Sequence, residues 1–442
     1  MLNKKKWLPL TMLAIIGLVM SRNIAIAATA AVASSSLVRV PISARPSLPA
    51  RSAAIATPAS PLLPAFGNTD FAVRLAVSSG TATFSFHIPA AGCVSILAPV
   101  KGKKASERLW GPVWLEAGTH QASLPSARIA SRSGTLELFT LTLNPMETVG
   151  RQGRGERQFV RPMGIGWDPV MKSLYVADTG NDRIVRLDSE GRYRAQYGGF
   201  GVAFGDKSEE HEDTLDEPWD VAAGGFSNIY VSDQNNDRIA EFDAYKSFKG
   251  NIYPKTGDKS NRLNRPRGVT VDGENHLWVV DGRSDRVIKI AATGDKIFEL
   301  GGFGWSQWQF KDPTQIAVDP DGRIYVADRG NHRIQVFDRF GSHLLEIRDH
   351  LKRPVSVAID PDGLVWVSDE ETSEVGVYAP DGRRLLFESG FGPGDPFRDP
   401  SDLVVLADCV WVADSGNHRL VRFERGRNAR SCSWQAPVPV VK

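Results

Sequence analysis

Cysteine is scarce in this chain: Cys93, Cys409 and Cys432 are all it has in 442 residues. Three thiols exclude the disulfide framework of a small secreted scaffold. An oxidising compartment would still permit one Cys409–Cys432 bond tying down the C-terminal end; three separate buried thiols is the alternative. An excess of either charge is also missing, with 53 Lys and Arg against 51 Asp and Glu. That balance excludes a polyanion binder by bulk charge. The apolar run from Trp7 to Met20 falls short of the ~20 residues of a membrane span, and Arg22 and Asn23 interrupt its extension.

What the N-terminus does have is Lys4, Lys5 and Lys6, then that apolar run, then Ala25-Ile26-Ala27. This order reads as a secretory signal peptide over residues 1–27, with an uncleaved anchor as the alternative. Removing it leaves 49 basic against 51 acidic residues. Residues 28–66 are rich in Ala, Ser and Pro without periodicity, the composition of a flexible tether. From 67 to 143 short alternating runs such as TATFSFHI and LELFTLTL, separated by turn residues, predict a small β-sandwich.

Beyond that, one phrase recurs six times: aliphatic, aromatic, Val, small residue or Val, Asp. It ends at Asp178, Asp233, Asp281, Asp328, Asp369 and Asp414, with steps of 55, 48, 47, 41 and 45 residues. A Pro precedes each Asp by 14 to 16 residues, and Arg183, Arg238, Arg286, Arg333 and Arg419 follow five residues later, with Glu374 in the fifth copy. A period of this size built from β-branched and aromatic runs marks a propeller or solenoid. The nearly constant Pro-to-Asp spacing implies one rigid hairpin per repeat, with the slack in loops. Asp can accept backbone N–H groups in the turn that follows, where Gly180-Asn181 and Gly330-Asn331 are expected to supply positive φ. The Arg can pair with a carboxylate while its stem covers apolar surface. These residues read as architecture. So do the DPDG turns at Asp319 and Asp360 and the turn histidines His332 and His418, which lack the partners of a calcium loop or a metal site.

The stretches RPMGIGWDP…LYVADTGNDRIVRLDSEG and DPTQIAVDPDGRIYVADRGNHRIQVFD make the repeat region, residues 144–427, resemble NHL repeats. The resemblance implies an all-β fold, a six-bladed propeller with four antiparallel strands per blade. Leu141 to Phe159 is expected to supply the outer strand of the last blade and close the ring, with residues 428–442 left as a tail. IPAAGCVSILAP…EAGTH loosely resembles the immunoglobulin-like domains of FlgD type in secreted bacterial proteins.

In such a meander the Asp-to-Arg turns and the linkers before each Pro share one rim. Length varies there: an acidic flap, Gly201 to Glu217, a linker with Phe303, Trp305, Trp308 and Phe310, and Gly390 to Phe397. Phe310 is expected to tuck inside before its Pro. Phe303, Trp305 and Trp308, with Trp219 and Arg267 at the channel mouth, are the candidate binding residues, since aromatic rings give large contact area at low entropic cost.

The first two residues after each Pro line the mouth, and none of the twelve is histidine. This argues against the zinc-dependent amidating lyases among NHL proteins. Gluconolactonase-type propellers hold a divalent ion with oxygen ligands, and Asp220, Gln315 and Asp402 approximate such a set in the central channel. Secreted NHL propellers serve as partner-binding domains, while the animal relatives that bind RNA use basic rims. The reading is therefore an exported, non-enzymatic binding or scaffold protein, without a cofactor, whose partner is a protein or polysaccharide at the cell envelope. Nucleic acid is not expected, and membrane contact only if the N-terminal segment stays uncleaved. The alternative is a metal-dependent hydrolase or lyase, gluconolactonase-like, with its site at the channel mouth.

Overall fold

The computed structural model describes residues 73–78, 81–88, 92–99, 106–115, 118–125, 128, 133–199, 213–255 and 262–435. The expected signal peptide (1–27), the tether (28–66), residues 201–212 of the acidic flap and the last seven residues lie outside the described residues. No helix among the described residues is long and apolar enough to cross a membrane.

Each repeat supplies four short runs that pair as an antiparallel meander. In the first repeat these are Pro162–Asp168, Ser173–Asp178, Arg183–Asp188 and Tyr193–Tyr197, and the next four repeats have the same order. The second strands are buried along their whole length, as in Ser173–Asp178 and Val365–Asp369, because neighbouring sheets cover both faces. Register aligns Pro with Asp and Asp with Arg, as in Pro313–Asp328–Arg333 and Pro400–Asp414–Arg419. Turns after the Asp and linkers before the Pro therefore share one end of every sheet.

The first strands pack side by side in chain order, and Pro400–Val405 packs against Pro162–Asp168. The sheets thus close on themselves as a β-propeller. At the closing seam Trp411 shares a core with Ile165, Val176 and Val185 of the first sheet.

The last sheet is completed from the other end of the chain. Strand Arg419–Gln435 pairs along its length with Ser133–Val149, from Leu420 opposite Val149 to Gln435 opposite Ser133. This outer strand removes an open edge. The two strands run unbroken through residues 143 and 427, so 428–435, expected as tail, is strand instead. Gly92–Pro99 and Ser106–Leu115 extend the same sheet to six strands. A second layer of Val73–Ser78, Thr81–Ile88 and Gly118–Pro125 shares with it a core that includes Phe84, Phe86, Ile96 and Leu138. Long pairing excludes the Cys409–Cys432 bond: Cys409 faces Glu424, while Cys432 faces Leu136 eight residues further along the same strand, about 26 Å away. Cys409 is a buried free thiol.

Candidate functional site

The rim is built from one device used repeatedly. Asp328 accepts Lys311 N–H at 2.8 Å, the Asn331 amide at 2.9 Å and Arg333 Nε at 2.6 Å. Arg333 then reaches on to the carbonyls of Ser306 and Gln309 at 2.8 and 2.9 Å, and to Glu346 at 2.7 Å. Burial pushes the Asp328 carboxyl up, and the donors of Lys311, Asn331 and Arg333 pull it back. The same hub binds Val160 N–H, Asn181 and Arg183 at Asp178, and Asp216 N–H, Asn236 and Arg238 at Asp233. Asp281 pairs with Arg286 and Asp414 with Arg419. The fifth repeat manages without its Arg because Asp369 takes four backbone N–H groups, those of Lys352, Arg353, Glu371 and Thr372. Glu374 bonds His350 instead, at 3.0 Å. Each linker is in this way tied to the ring.

Positive φ falls one residue later than expected. Asp182 (55°) and His332 (56°) adopt it, not Gly180-Asn181 or Gly330-Asn331. The glycine serves close approach: a Cβ on Gly180 would lie 2.7 Å from the Val160 carbonyl oxygen, which accepts the Gly180 N–H at 2.8 Å. The left-handed residue caps the linker in turn, as when His418 Nδ1 accepts Arg161 N–H at 3.1 Å. His332 and His418 are turn residues.

The candidate binding residues fall into two groups. Phe303 (60% exposed) and Trp305 (65%) form an edge-to-face pair with centroids 5.3 Å apart. Phe303 also lines a cavity of about 370 Å³ with Arg265, Arg267, Arg283, Lys311 and Asp312. Arg267 lies over the Trp219 ring at 5.0 Å and pairs with Asp312 at 2.6 Å. Burial works against the Asp312 carboxylate, but Arg267 and Arg329 hold it below its usual range. The Phe303–Trp305 pair and the Arg267–Trp219 pair thus meet at one cavity, which Phe303 and Arg267 both line. Trp308 does not join them. Its indole N–H donates to Gly341 O at 3.2 Å and its ring meets His343. Gly341 belongs to the turn before His343–Ile347, at the opposite end of the next sheet, so Trp308 latches the linker to the outer wall. Phe310 is fully buried, as its place before Pro313 predicts.

Asp220, Gln315 and Asp402 converge on a channel cavity of about 380 Å³. Gln315 Nε2 donates to Asp220 Oδ2 at 2.9 Å across the channel. The carboxylates also staple neighbouring first strands: Asp220 accepts Val269 N–H at 2.9 Å, besides Val221 N–H of its own strand at 2.7 Å, and Asp402 accepts Ile165 N–H at 2.7 Å and the Ser356 hydroxyl at 2.5 Å. The alternate positions are Gly164, Gly268 and Ser356, small enough to let the longer side chains cross. A Cβ on Gly268 would lie 2.2 Å from Gln315 Oε1 and 2.7 Å from Gln315 Cα. Gly268→Ala is therefore expected to cost about 2–4 kcal/mol in denaturant unfolding, whereas a loss under about 0.5 kcal/mol would show that the strands part freely.

Burial, and then the Asp402 charge, raise the Asp220 carboxyl well above its usual range; burial pushes Asp402 up to about 6. Every carboxylate oxygen of the pair already accepts a protein donor, so a divalent ion would have to share oxygens already engaged. A second acidic group, Asp272, Glu274 and His276, is close enough to hold a cation. Lys289 already lies 2.8 Å from Asp272 and 3.4 Å from Glu274 there.

Sequence reasoning missed Arg265, Arg283 and Lys311. The signal was present, because Arg283 stands where Gly180, Gly330 and Gly416 stand in other repeats, and Arg265 and Lys311 sit one and two residues before the repeat prolines.

The family model described as NHL repeat matches residues 310–337, 351–378 and 397–423. NHL repeat-containing protein 3 of Mus musculus is 32% identical over 87 residues, which cover 19% of this chain and 25% of that protein. Protein brain tumor of Drosophila melanogaster is 31% identical over 154 residues, covering 34% of this chain and 13% of that protein. The matched stretches thus span a quarter or less of these relatives. Among solved structures, a gluconolactonase from Xanthomonas campestris is similar with a TM-score of 0.47 at 15% identity, covering 64% of this chain and 98% of that one. The chain thus carries NHL repeats at residues 310–337, 351–378 and 397–423, and these stretches supply strands of its β-propeller.

Proposed function

We propose that this protein is an exported, non-enzymatic binding or scaffold protein that holds a partner at the cell envelope through one rim of a six-bladed propeller. The strands from 73 to 143 act as a small immunoglobulin-like sandwich, and residues 1–66 supply the export signal and tether. The observation that carries the reading is the Phe303–Trp305 pair, more than half exposed on a linker whose backbone Arg333 holds at two carbonyls. Large aromatic side chains kept in water on a rigid support favour recognition over stability. Phe303→Ala with Trp305→Ala should abolish photo-crosslinking of envelope neighbours in intact cells and leave the denaturation midpoint unchanged. Undiminished crosslinking would show that another surface does the binding.

The enzymatic alternative draws on the convergence of Asp220, Gln315 and Asp402 on the channel cavity. Metal analysis and lactone hydrolysis by the purified chain, set against Asp220→Ala with Asp402→Ala, test it. A stoichiometric divalent ion lost in the variant would favour that alternative.

A further inference from the structure

We propose that the rim pocket beside Phe303 binds a polysaccharide that carries carboxylates on some of its sugars; this rests on the rim being the binding surface. The pocket brings four cationic side chains, Arg265, Arg267, Arg283 and Lys311, around Phe303, with Asp285 and Asp312 as its acids. Asp312 is already paired, with Arg267 at 2.6 Å and with Arg329. Among the described residues no hydrogen bond or ion pair engages the Arg283 guanidinium or the Lys311 ammonium. The Arg267 Nε is buried without a partner. Unspent donors in a concave site call for an anion, and a guanidinium matches a carboxylate with two parallel bonds.

The aromatic side chains decide what carries that anion. Phe303 and Trp305 meet at 68°, which makes a corner rather than a parallel platform. A corner grips a thick, puckered ring by its C–H faces, whereas flat bases stack between parallel rings. The charge of the surrounding rim sets how dense the anions can be. Glu217 and Glu370 stand on the same rim, paired only with its own arginines, Arg265 for Glu217 at 3.8 Å and Arg329 and Arg353 for Glu370 at 2.6 and 2.9 Å. A strand with a charge on every unit would displace those pairs and meet the carboxylates. A chain with one carboxylate in the pocket and neutral sugars on either side would not.

Binding of the full-length chain to four polymers by calorimetry tests this: polygalacturonate with about half its carboxylates methyl-esterified, fully acidic polygalacturonate, dextran and polyuridylate. The half-esterified polymer is expected to bind best. Its affinity should fall about tenfold or more in Arg283→Ala with Lys311→Ala, and similarly in Phe303→Ala with Trp305→Ala, with both variants keeping the parent denaturation midpoint. Equal binding of dextran, stronger binding of polyuridylate, or unchanged affinity in the Arg283/Lys311 variant would overturn the proposal. If crosslinking in cells depends on Phe303 and Trp305 while no uronate polymer binds, the ligand class is wrong and the rim stands. If crosslinking is indifferent to them, the rim itself is wrong.

Discussion

Replacing Arg333 by alanine will destabilise the protein by about 3–5 kcal/mol, because it removes one partner of a buried ion pair and strands the other. Arg333 and Asp328 expose 1% and 0% of their side chains. Lys311 N–H, Asn331 and Gln335 would remain on Asp328, but the charge opposite would be gone, and the Ser306 and Gln309 carbonyls would each lose one of two donors, keeping Gln309 N–H and Gln335. The loss should appear in two measurements. Denaturant unfolding gives the global change, and hydrogen exchange of residues 302–310 should accelerate beyond it, since the linker is released locally. Arg333→Lys should restore little, as one ammonium cannot reach the carboxylate and both carbonyls together. Arg286→Ala is the comparison. Its carboxylate contact to Asp281 is longer, 2.8 Å against 2.6 Å, its reach to Arg262 O and Glu299 is 3.5 and 3.4 Å, and its side chain is 14% exposed, so roughly half the cost is expected. Equal and small losses in both would mean that the hub is incidental to rim rigidity.

Asp402→Asn is expected to flatten the pH dependence of stability. In the folded protein burial pushes the Asp402 carboxyl up to about 6, against ~3.9 when unfolded. A folded pKa above the unfolded one means that the folded state holds the proton longer as pH rises. The group's stabilising contribution is therefore complete below about pH 4 and is lost as pH climbs through about 6. The difference between parent and variant should change by on the order of 2–3 kcal/mol between about pH 4 and pH 7, with the parent losing more. Asparagine can keep the geometry, its oxygen taking Ile165 N–H and its amide donating to Ser356. Asp402→Ala leaves both without a partner and should be about 2–4 kcal/mol less stable than Asp402→Asn at every pH. Parallel stability curves for parent and Asp402→Asn would place the proton elsewhere.

Much of this architecture is legible because each repeat repeats its physics. Pro, the apolar second strand, Asp and Arg recur at near-fixed spacing, and the register sets them opposite one another. Phe310 could be placed inside from its position alone, and Leu141 to Phe159 from its likeness to other linkers. The errors share a cause. The positive φ at Asp182 and His332 depends on how a short 3₁₀ turn exits toward the next strand, which residue preference at Gly180 does not reveal. Trp308, still half-exposed, also contacts Gly341 and His343 of the following sheet, which no linear spacing announces. The basic pocket draws on three separated stretches around 265, 283 and 311, none of them remarkable in isolation.

The amino-acid sequence determined the wedge: which residues form the four strands, which end carries the long linkers, and which Asp pairs with which Arg. Those choices are local, set by alternation, turn chemistry and contacts a few residues apart. Tertiary structure alone decided how the channel residues Asp220, Gln315 and Asp402, which the repeat pattern already groups, are hydrogen-bonded, and that Phe303 shares a rim pocket with Arg265, Arg283 and Lys311. Closing the ring fixes those neighbours by geometry, and burial then sets their charge and their hydrogen-bond partners.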